Sequence, residues 1–513
     1  MTEAEQQTRG SETRLVFGVA AALYLLGVLR FAWLSDDAFI TLRVVDNVAN
    51  GLGAVFNEGS RVQPFTHPLW FLFLIPIHLV VPDGYTTLLF ASLICAVGLV
   101  LVLRWGMKPL AASVALLLLA ASYSYLSFST SGLENPMTYL LIALFAVLWL
   151  ENRNPTALWI TAGLVVLNRF DLVLLVAPAL AASLLQVGLK RLPRLALCLL
   201  PLAVWLGFSL IYYGSPFPNT AYAKLNLGIA RPQLLAQGVS YLVTSATLDP
   251  LLVLLLCVGI PALFFLVVRG RVLAVGSLLY VGYVIWIGGD FMAGRSLTGP
   301  ATLSAIGLAS LIRPQGALGT TSLRTPAVFL LVSFFLAANN VLWSAVAPAP
   351  RTECMVPKSG IVDERKCYYE HTGLTQNVRV LKYKTHGYYE KGIKWQNEMR
   401  DEVVVSSLIG LAGYAAGPRV TILDPYALAD PLLSRIPFAP GRGWRIGHFP
   451  RPLPAGYLET QKTGVNTIAD PCIHGLYEDV ELATKGPLLS AERLRAILRL
   501  NFGAHDCDEP ELP

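Results

Sequence analysis

Charge is scarce in this chain. Of 513 residues only 14% are Asp, Glu, Lys or Arg, against about 25% in a typical soluble domain. Hydrophobic residues make up 54% and mean hydropathy is +0.56. Such a chain cannot clothe three or four water-facing domains of roughly 150 residues each, nor has it the polarity that disorder requires. Other absences narrow the function. Neither GxxxxGK(S/T) nor GxGxxG occurs, so ATP coupling and a nucleotide-sugar donor are unsupported. The net charge of +6 comes with no long basic run or basic–aromatic stripe, so nucleic acid is not an expected partner. No internal repeat is visible, which weighs against a transporter built from repeats. What remains is a polytopic α-helical membrane protein with a modest soluble part.

After 13 polar residues, the run from Leu15 to Leu34 is long enough to cross a ~30 Å hydrocarbon core. No small-residue cleavage site follows it, so it reads as an uncleaved first helix. The polar stretch 35–66 carries helical spacing at Ala38, Leu42, Val45 and Ala49, then Gly51, Gly53 and Gly59. It predicts an amphipathic helix at the membrane surface and a turn-rich first external loop. Further apolar runs lie at 67–82, 84–104, 109–126, 134–150, 156–169, 171–189, 195–213, 250–268, 272–288, 298–313 and 325–346. Short loops bearing Arg104/Lys108, Arg153, Lys190/Arg191/Arg194, Arg269/Arg271 and Arg313/Arg324 are expected in the cytoplasm. Parity works for about eleven crossings if 67–82, which holds Pro76 and His78, is re-entrant or tilted. Residues 347–513 contain no spanning run and form a soluble unit, which an odd crossing number puts outside the cytoplasm. The expected location is thus the cell (inner or plasma) membrane, multi-pass, with residues 1–346 in the bilayer part.

Cysteine usage fits that orientation. Cys95, Cys198 and Cys257 sit in apolar runs, where small thiols are ordinary. Cys354, Cys367, Cys472 and Cys507 lie in the soluble unit, an even number in an oxidising space. Two disulfides are expected, with 354–367 and 472–507 preferred among three pairings. A zinc site is the rival, disfavoured because no CxxC spacing occurs.

Five polar clusters fall on the expected outer side. Asp36 and Asp37 follow the first helix; they are either an interfacial stop signal or a general base with a neighbour that positions it. Two adjacent carboxylates could also contact a divalent cation, Mg or Mn, with no cofactor otherwise indicated. Glu134, in Gly132-Leu133-Glu134-Asn135-Pro136, suits a helix start by dipole logic alone. Asn168-Arg169-Phe170-Asp171 could be a structural pair, although charges at membrane depth are functional candidates by default. Tyr213–Lys224 is a plain turn-rich loop or a cation-bearing one. Gly288–Arg295 puts Arg295 at a helix start, an unfavourable place for a cation unless an anion is near. Together they describe an external cavity with acids for proton transfer and Arg/Lys for an anionic group. A glycosyltransferase using a lipid-phosphate sugar and a lipid-linked sugar transporter both fit. Acids at helix ends, rather than at the midplane, favour the enzyme.

The segments Ser35-Asp36-Asp37-Ala38-Phe39-Ile40-Thr41-Leu42-Arg43, Asn47, Gly51, Gly53, Val55-Phe56-Asn57 and Thr66-His67-Pro68-Leu69-Trp70 resemble the first external loop of GT-C membrane glycosyltransferases, in the arabinofuranosyltransferase branch. That branch includes enzymes of cell-wall arabinan and of type IV pilins. Ser131–Glu134, Pro218–Lys224, Gly289–Met292 with Arg295, Asp424–Pro431 and Arg445–His448 extend the resemblance. Asn135 and Asn168-Arg169-Phe170-Asp171 depart from it. The resemblance implies a GT-C-like fold with a C-terminal extracytoplasmic α/β domain. It also implies a decaprenyl- or other polyprenyl-phosphate arabinofuranose donor and a cell-envelope glycan or glycoprotein acceptor. Asp36 or Asp37 is then the base; charge and placement, more than the motif, put Arg295, Lys224 and Arg169 at the donor phosphate. Arg43, Glu134, Asp171, Asn219, Asp290, His67 and His448 would contact sugar or acceptor, or support the residues that do.

Overall fold

The computed structural model describes residues 3–225, 227–312, 356–378, 381–438, 444–503 and 507. The apolar run 325–346, the loop bearing Arg313 and Arg324, and Cys354 with its pairing to Cys367 lie outside the described residues. The described chain is helix after helix, with one pair of short strands. It divides into two compact units: Met1–Leu34, Leu89–Pro201 and Leu234–Val378 in the first; Ser35–Leu88, Leu202–Gln233 and Arg379–Pro513 in the second.

The first unit is organised around the Thr298–Ala309 helix, which is buried at all twelve positions. It packs against Pro250–Phe265, Pro109–Ala120 and Asn135–Leu150. A helix enclosed all round needs low relief, and TGPATLSAIGLA supplies small residues on every face. A Cβ on Gly259 would sit 2.3 Å from that of Ser304, and one on Gly307 would sit 2.4 Å from Leu263 Cδ2. Two further helices, Val173–Val187 and Arg271–Trp286, pack closely, because bare Gly276 lets the Leu175 carbonyl approach.

Among the described residues three helices are long and apolar enough to cross a bilayer: Ser11–Phe31, Gly84–Gly106 and Phe170–Val187. Two bent pairs bring the number to five. Leu189–Cys198 meets Leu200–Tyr213 at 52°, within a run that the sequence presents as continuous, and Arg231–Leu248 meets Pro250–Phe265 at 110°. Five other apolar helices are shorter. Outward-facing Leu15, Leu26, Phe90 and Leu101 are exposed, a distribution suited to lipid and costly in water.

In the second unit the Ala38–Ala49 helix forms as its spacing predicts, but its expected surface position is corrected. Residues 38–45 and Asn47 are buried, and the helix packs against Pro68–Val80 and Leu411–Ala416. The apolar stripe alone suggested one wet face; packing partners distant in sequence cover the other. The expected α/β character reduces, among the described residues, to β1 (Val403–Val405) paired in parallel with β2 (Thr421–Leu423). Beside the strands, Leu423, Leu432, Leu433, Ile436, Tyr457, Ile473, Leu476 and Val480 form a buried cluster.

Cys472 and Cys507 are disulfide-bonded across 35 residues, as the sequence predicts. Closing a loop of that length removes about 3–4 kcal/mol of chain entropy from the unfolded state. Cys472→Ala/Cys507→Ala is expected to lower the thermal midpoint of detergent-solubilised protein and to expose 457–503 to protease; an unchanged midpoint and digest would contradict this.

Candidate active site

Asp36 and Asp37 bridge the end of the first apolar helix and the Ala38–Ala49 helix. Their backbone carbonyls accept the first helical hydrogen bonds, from Phe39 N–H (3.0 Å) and Ile40 N–H (3.2 Å), so both side chains leave one rigid turn. Their surroundings differ. The Leu411 N–H donates to Asp36 Oδ1 at 2.8 Å. Although Asp36 keeps a partly exposed surface, protein crowds its carboxyl, and that burial pushes its pKa up to about 7. The Leu411 hydrogen bond opposes the rise, and the Asp37 charge adds to it. A carboxyl that titrates near neutrality is suited to general-base work.

Asp37 lies in the electrostatic reach of His448, together with Arg445 and Lys224. His448 and Arg445 close a tight turn, exchanging backbone hydrogen bonds of 2.8 and 3.3 Å around Gly447 at φ 79°. The edge of Tyr426 meets the His448 ring at 5.0 Å between centroids. Burial lowers the His448 pKa; Arg445 and Lys224 lower it further, while Asp37 raises it. Asp36, Asp37, Lys224, Arg445 and His448 thus form one group in the second unit.

The first unit holds another group. Glu134, with no solvent exposure, accepts from Arg169 Nη1 at 2.8 Å and from Arg295 Nη2 at 3.0 and 3.1 Å. Arg169 also grips Asp171 through Nε (3.0 Å) and Nη2 (2.5 Å), and the Tyr280 hydroxyl donates to the same carboxylate at 3.3 Å. Arg295 donates to Asn135 Oδ1 at 3.3 Å and pairs with Asp290 at 3.6 Å. Glu134, Arg169, Asp171, Asp290 and Arg295 therefore come together as a chain of alternating charge. Each guanidinium already holds carboxylates, so an incoming anion would have to compete with them.

Three further candidates have architectural roles. Arg43 is 2% exposed and donates to the carbonyls of Phe56 (2.8 Å), Gly413 and Val420 (2.9 Å), with the Phe56 ring 4.4 Å away. It ties the first loop to the Leu411–Ala416 helix and β2. Arg43→Ala removes the hydrogen bonds to these buried carbonyls, of which, among the described residues, only that of Phe56 keeps a second donor, the Asn47 amide at 3.3 Å, and is expected to cost about 2 kcal/mol or more, read as a lower thermal midpoint; a wild-type midpoint would contradict that role. His67 bonds Thr41 Oγ1 through Nε2 at 2.8 Å. Asn219 donates to the carbonyls of Ala427 (2.9 Å), Leu428 (3.2 Å) and Asp430 (3.0 Å) and accepts from Ser434. Asp424 and Asp430, both buried, accept backbone N–H groups of the same turn-rich segment. The Asp424–Pro431 motif is thus a folded support.

Among the described residues no group of three or more His, Cys, Asp or Glu side chains is gathered to hold a metal ion. Asp36 and Asp37 bring two carboxylates, and one oxygen of Asp36 already takes the Leu411 N–H. Sequence reading missed Leu411 as well as its neighbour Gly410. The available signal was small: a glycine after the Ser406-Ser407 break, opening a six-residue helix rich in small side chains.

Apolar helices with outward-facing leucines mark a membrane protein. No family model matches the chain. It is 30% identical over 429 residues, 71% of its length, to the terminal β-(1→2)-arabinofuranosyltransferase of Mycobacterium tuberculosis, of which it spans 66%. It is 26% identical over 546 aligned positions, 84% of its length, to the terminal β-(1→2)-arabinofuranosyltransferase of Corynebacterium glutamicum, of which it spans 77%. Both relatives are arabinofuranosyltransferases, the family that the sequence motifs resemble, and the chain spans just under two thirds of the first of them.

Proposed function

We propose that the chain is a GT-C arabinofuranosyltransferase of the cell membrane. It moves arabinofuranose from decaprenyl or another polyprenyl phosphate to an acceptor hydroxyl of a cell-envelope glycan, such as an arabinan end. The two relatives carry the sugar assignment. The Asp36 environment carries the mechanism: a carboxylate held by a backbone N–H beside a second acid and a set of cations. Residues 1–346 would form the membrane catalytic part, and residues 347–513 an extracytoplasmic acceptor-side part.

In the reaction, the acceptor O–H gives its proton to the Asp36 carboxylate as its oxygen bonds to C1 of the arabinofuranose. The C1–O bond to phosphate breaks, and the electron pair leaves with polyprenyl phosphate. Lys224, in the same unit as Asp36, is the cation assigned to that phosphate. Its charge is worth most as the leaving oxygen becomes negative. Asp37 is the neighbouring acid that keeps Lys224 and Arg445 in register.

Incubating membranes with labelled polyprenyl-phosphate arabinofuranose and an arabinan oligosaccharide tests this reading. The expected result is label covalently attached to the oligosaccharide and an equivalent of free polyprenyl phosphate. Label that crosses sealed vesicles still attached to its lipid, with none on the acceptor, would make the protein a carrier. Label on pilin instead of arabinan would move the acceptor assignment to protein.

A further inference from the structure

The segment that touches Asp36 comes from the far side of the sequence, 375 residues on. Gly410 precedes the Leu411–Ala416 helix as its N-cap, with φ −76° and ψ −105°. Its φ is ordinary for any residue, so backbone strain does not require glycine here. Space does. A Cβ at Gly410 would lie 2.3 Å from the Asp36 carbonyl oxygen, 2.4 Å from Oδ2 and 2.6 Å from Cγ. All three atoms belong to one residue, and all three distances are far inside van der Waals contact.

The two halves of this contact act on opposite oxygens of one carboxylate. Oδ1 is the acceptor of the Leu411 N–H at 2.8 Å. Oδ2 lies against the bare face of Gly410. A hydrogen bond fixes one oxygen and the rotation about Cβ–Cγ; a backbone face without a side chain leaves the other oxygen the room it occupies. Behind Asp36, the Phe39 N–H holds the main-chain carbonyl at 3.0 Å, so the residue cannot swing aside without disturbing the helix it starts. The Leu411–Ala416 helix is itself seated firmly. It packs on both Ala38–Ala49 and Gly387–Glu398, and bare Gly392 lets the Ala412 carbonyl approach to 2.3 Å from where a Cβ would be. Asp37 is the charged neighbour that bears on the Asp36 carboxyl.

We infer that Gly410 and the Leu411 N–H are positioning elements for the base, orienting Asp36 so that Oδ2 is the oxygen that receives the acceptor proton. This rests on the assignment of Asp36 as base in the proposed transfer. Neither Gly410 nor Leu411 needs to touch substrate. Their effect is geometric, and a displacement of about 1 Å at a reacting group can cost about 10²-fold in rate.

The test uses the full-length protein in membranes, with labelled polyprenyl-phosphate arabinofuranose and an arabinan oligosaccharide. Gly410→Ala is expected to lower kcat about 10²-fold and to displace the acid limb of the kcat–pH profile, with donor KM changed less than about 3-fold. Gly475→Ala, a helix position with open space around it, serves as the control and should retain wild-type kcat and profile. In the Asp36→Asn background, adding Gly410→Ala should cost no more than about 3-fold further, because the residue acts through a carboxylate no longer there. Where Gly410→Ala fails to fold, Asp36→Glu decides: it keeps the charge but lengthens the arm against the same glycine, and should lose about 10²-fold. Wild-type kcat and pH profile in Gly410→Ala, or an Asp36→Glu enzyme within about 3-fold of wild type, would overturn the inference while leaving Asp36 as base. A fully active Asp36→Asn would take down the base assignment and this inference with it.

Discussion

Asp36→Asn is expected to lower the rate of arabinosyl transfer by about 10²–10⁴-fold, the range that general-base catalysis supplies. The amide keeps the size of the carboxyl and can still accept the Leu411 N–H through its oxygen, so loss of rate would report loss of a proton acceptor. The pH dependence sharpens the test. Burial holds the Asp36 carboxyl at about 7, and the base must be ionised to work. Wild-type kcat should therefore fall as pH drops below about 7, approaching tenfold per unit, and the residual activity of Asp36→Asn should lack that limb.

Stability should move the other way. A carboxyl whose pKa is raised by folding favours the native state while it stays protonated, and that contribution disappears as pH climbs from its ordinary value near 4 through about 7. The slope is about 1.4 kcal/mol for each pH unit in that window. At pH 8 the ionised Asp36 burdens the fold, so Asp36→Asn should be at least as heat-stable as wild type there. A variant that is inactive because it is unfolded would show the reverse, and thermal midpoints at pH 5 and pH 8 separate the two.

The second large effect concerns Glu134. Its side chain is fully shielded and is shared by Arg169 and Arg295. Removing the common acceptor in Glu134→Ala leaves Arg295 with Asn135 and the longer contact to Asp290 at 3.6 Å, while Arg169 retains Asp171. Breaking one partner out of a buried pair costs about 3–5 kcal/mol, because the remaining charge has lost its compensation. Glu134→Ala should accumulate poorly and lose its thermal midpoint, whereas Glu134→Gln, which preserves shape and one acceptor oxygen, should fall between it and wild type. A Glu134→Ala protein as stable as wild type would show that Arg169 and Arg295 find other partners.

Much of the helical framework was legible because apolar runs of this length report burial or lipid directly. The Ser11–Phe31 and Gly84–Gly106 helices lie where uninterrupted hydropathy puts them, and the disulfide from Cys472 to Cys507 belongs to the preferred of the three pairings that the four thiols of one segment allow. Arg231–Leu248 escaped because Gln233, Gln237, Ser240 and Thr244 dilute its apolar content. The bend of 52° near Leu199 leaves no mark in hydropathy. Among the site residues, the acids after the first helix and the cations at Lys224, Arg169 and Arg295 could be singled out by charge in an apolar setting. Charge could not reveal how each is used. Arg43 looks like its neighbours in sequence, yet its three carbonyl partners at Phe56, Gly413 and Val420 make it a brace. Gly410 and Leu411 were invisible for the complementary reason: what they contribute is a missing Cβ and a main-chain N–H, neither of which side-chain chemistry advertises.

The bond from Leu411 to Asp36 also sets a schedule for biogenesis. The acid leaves the ribosome 375 residues ahead of its support. A product terminated before residue 410 would carry the acid pair but lack the Leu411 N–H, Arg445, His448 and the buried cluster around Leu432 and Tyr457, and should be inert. Supplying residues 379–513 as a separate exported polypeptide alongside such a fragment would ask whether the late-made portion can restore turnover without a covalent tether.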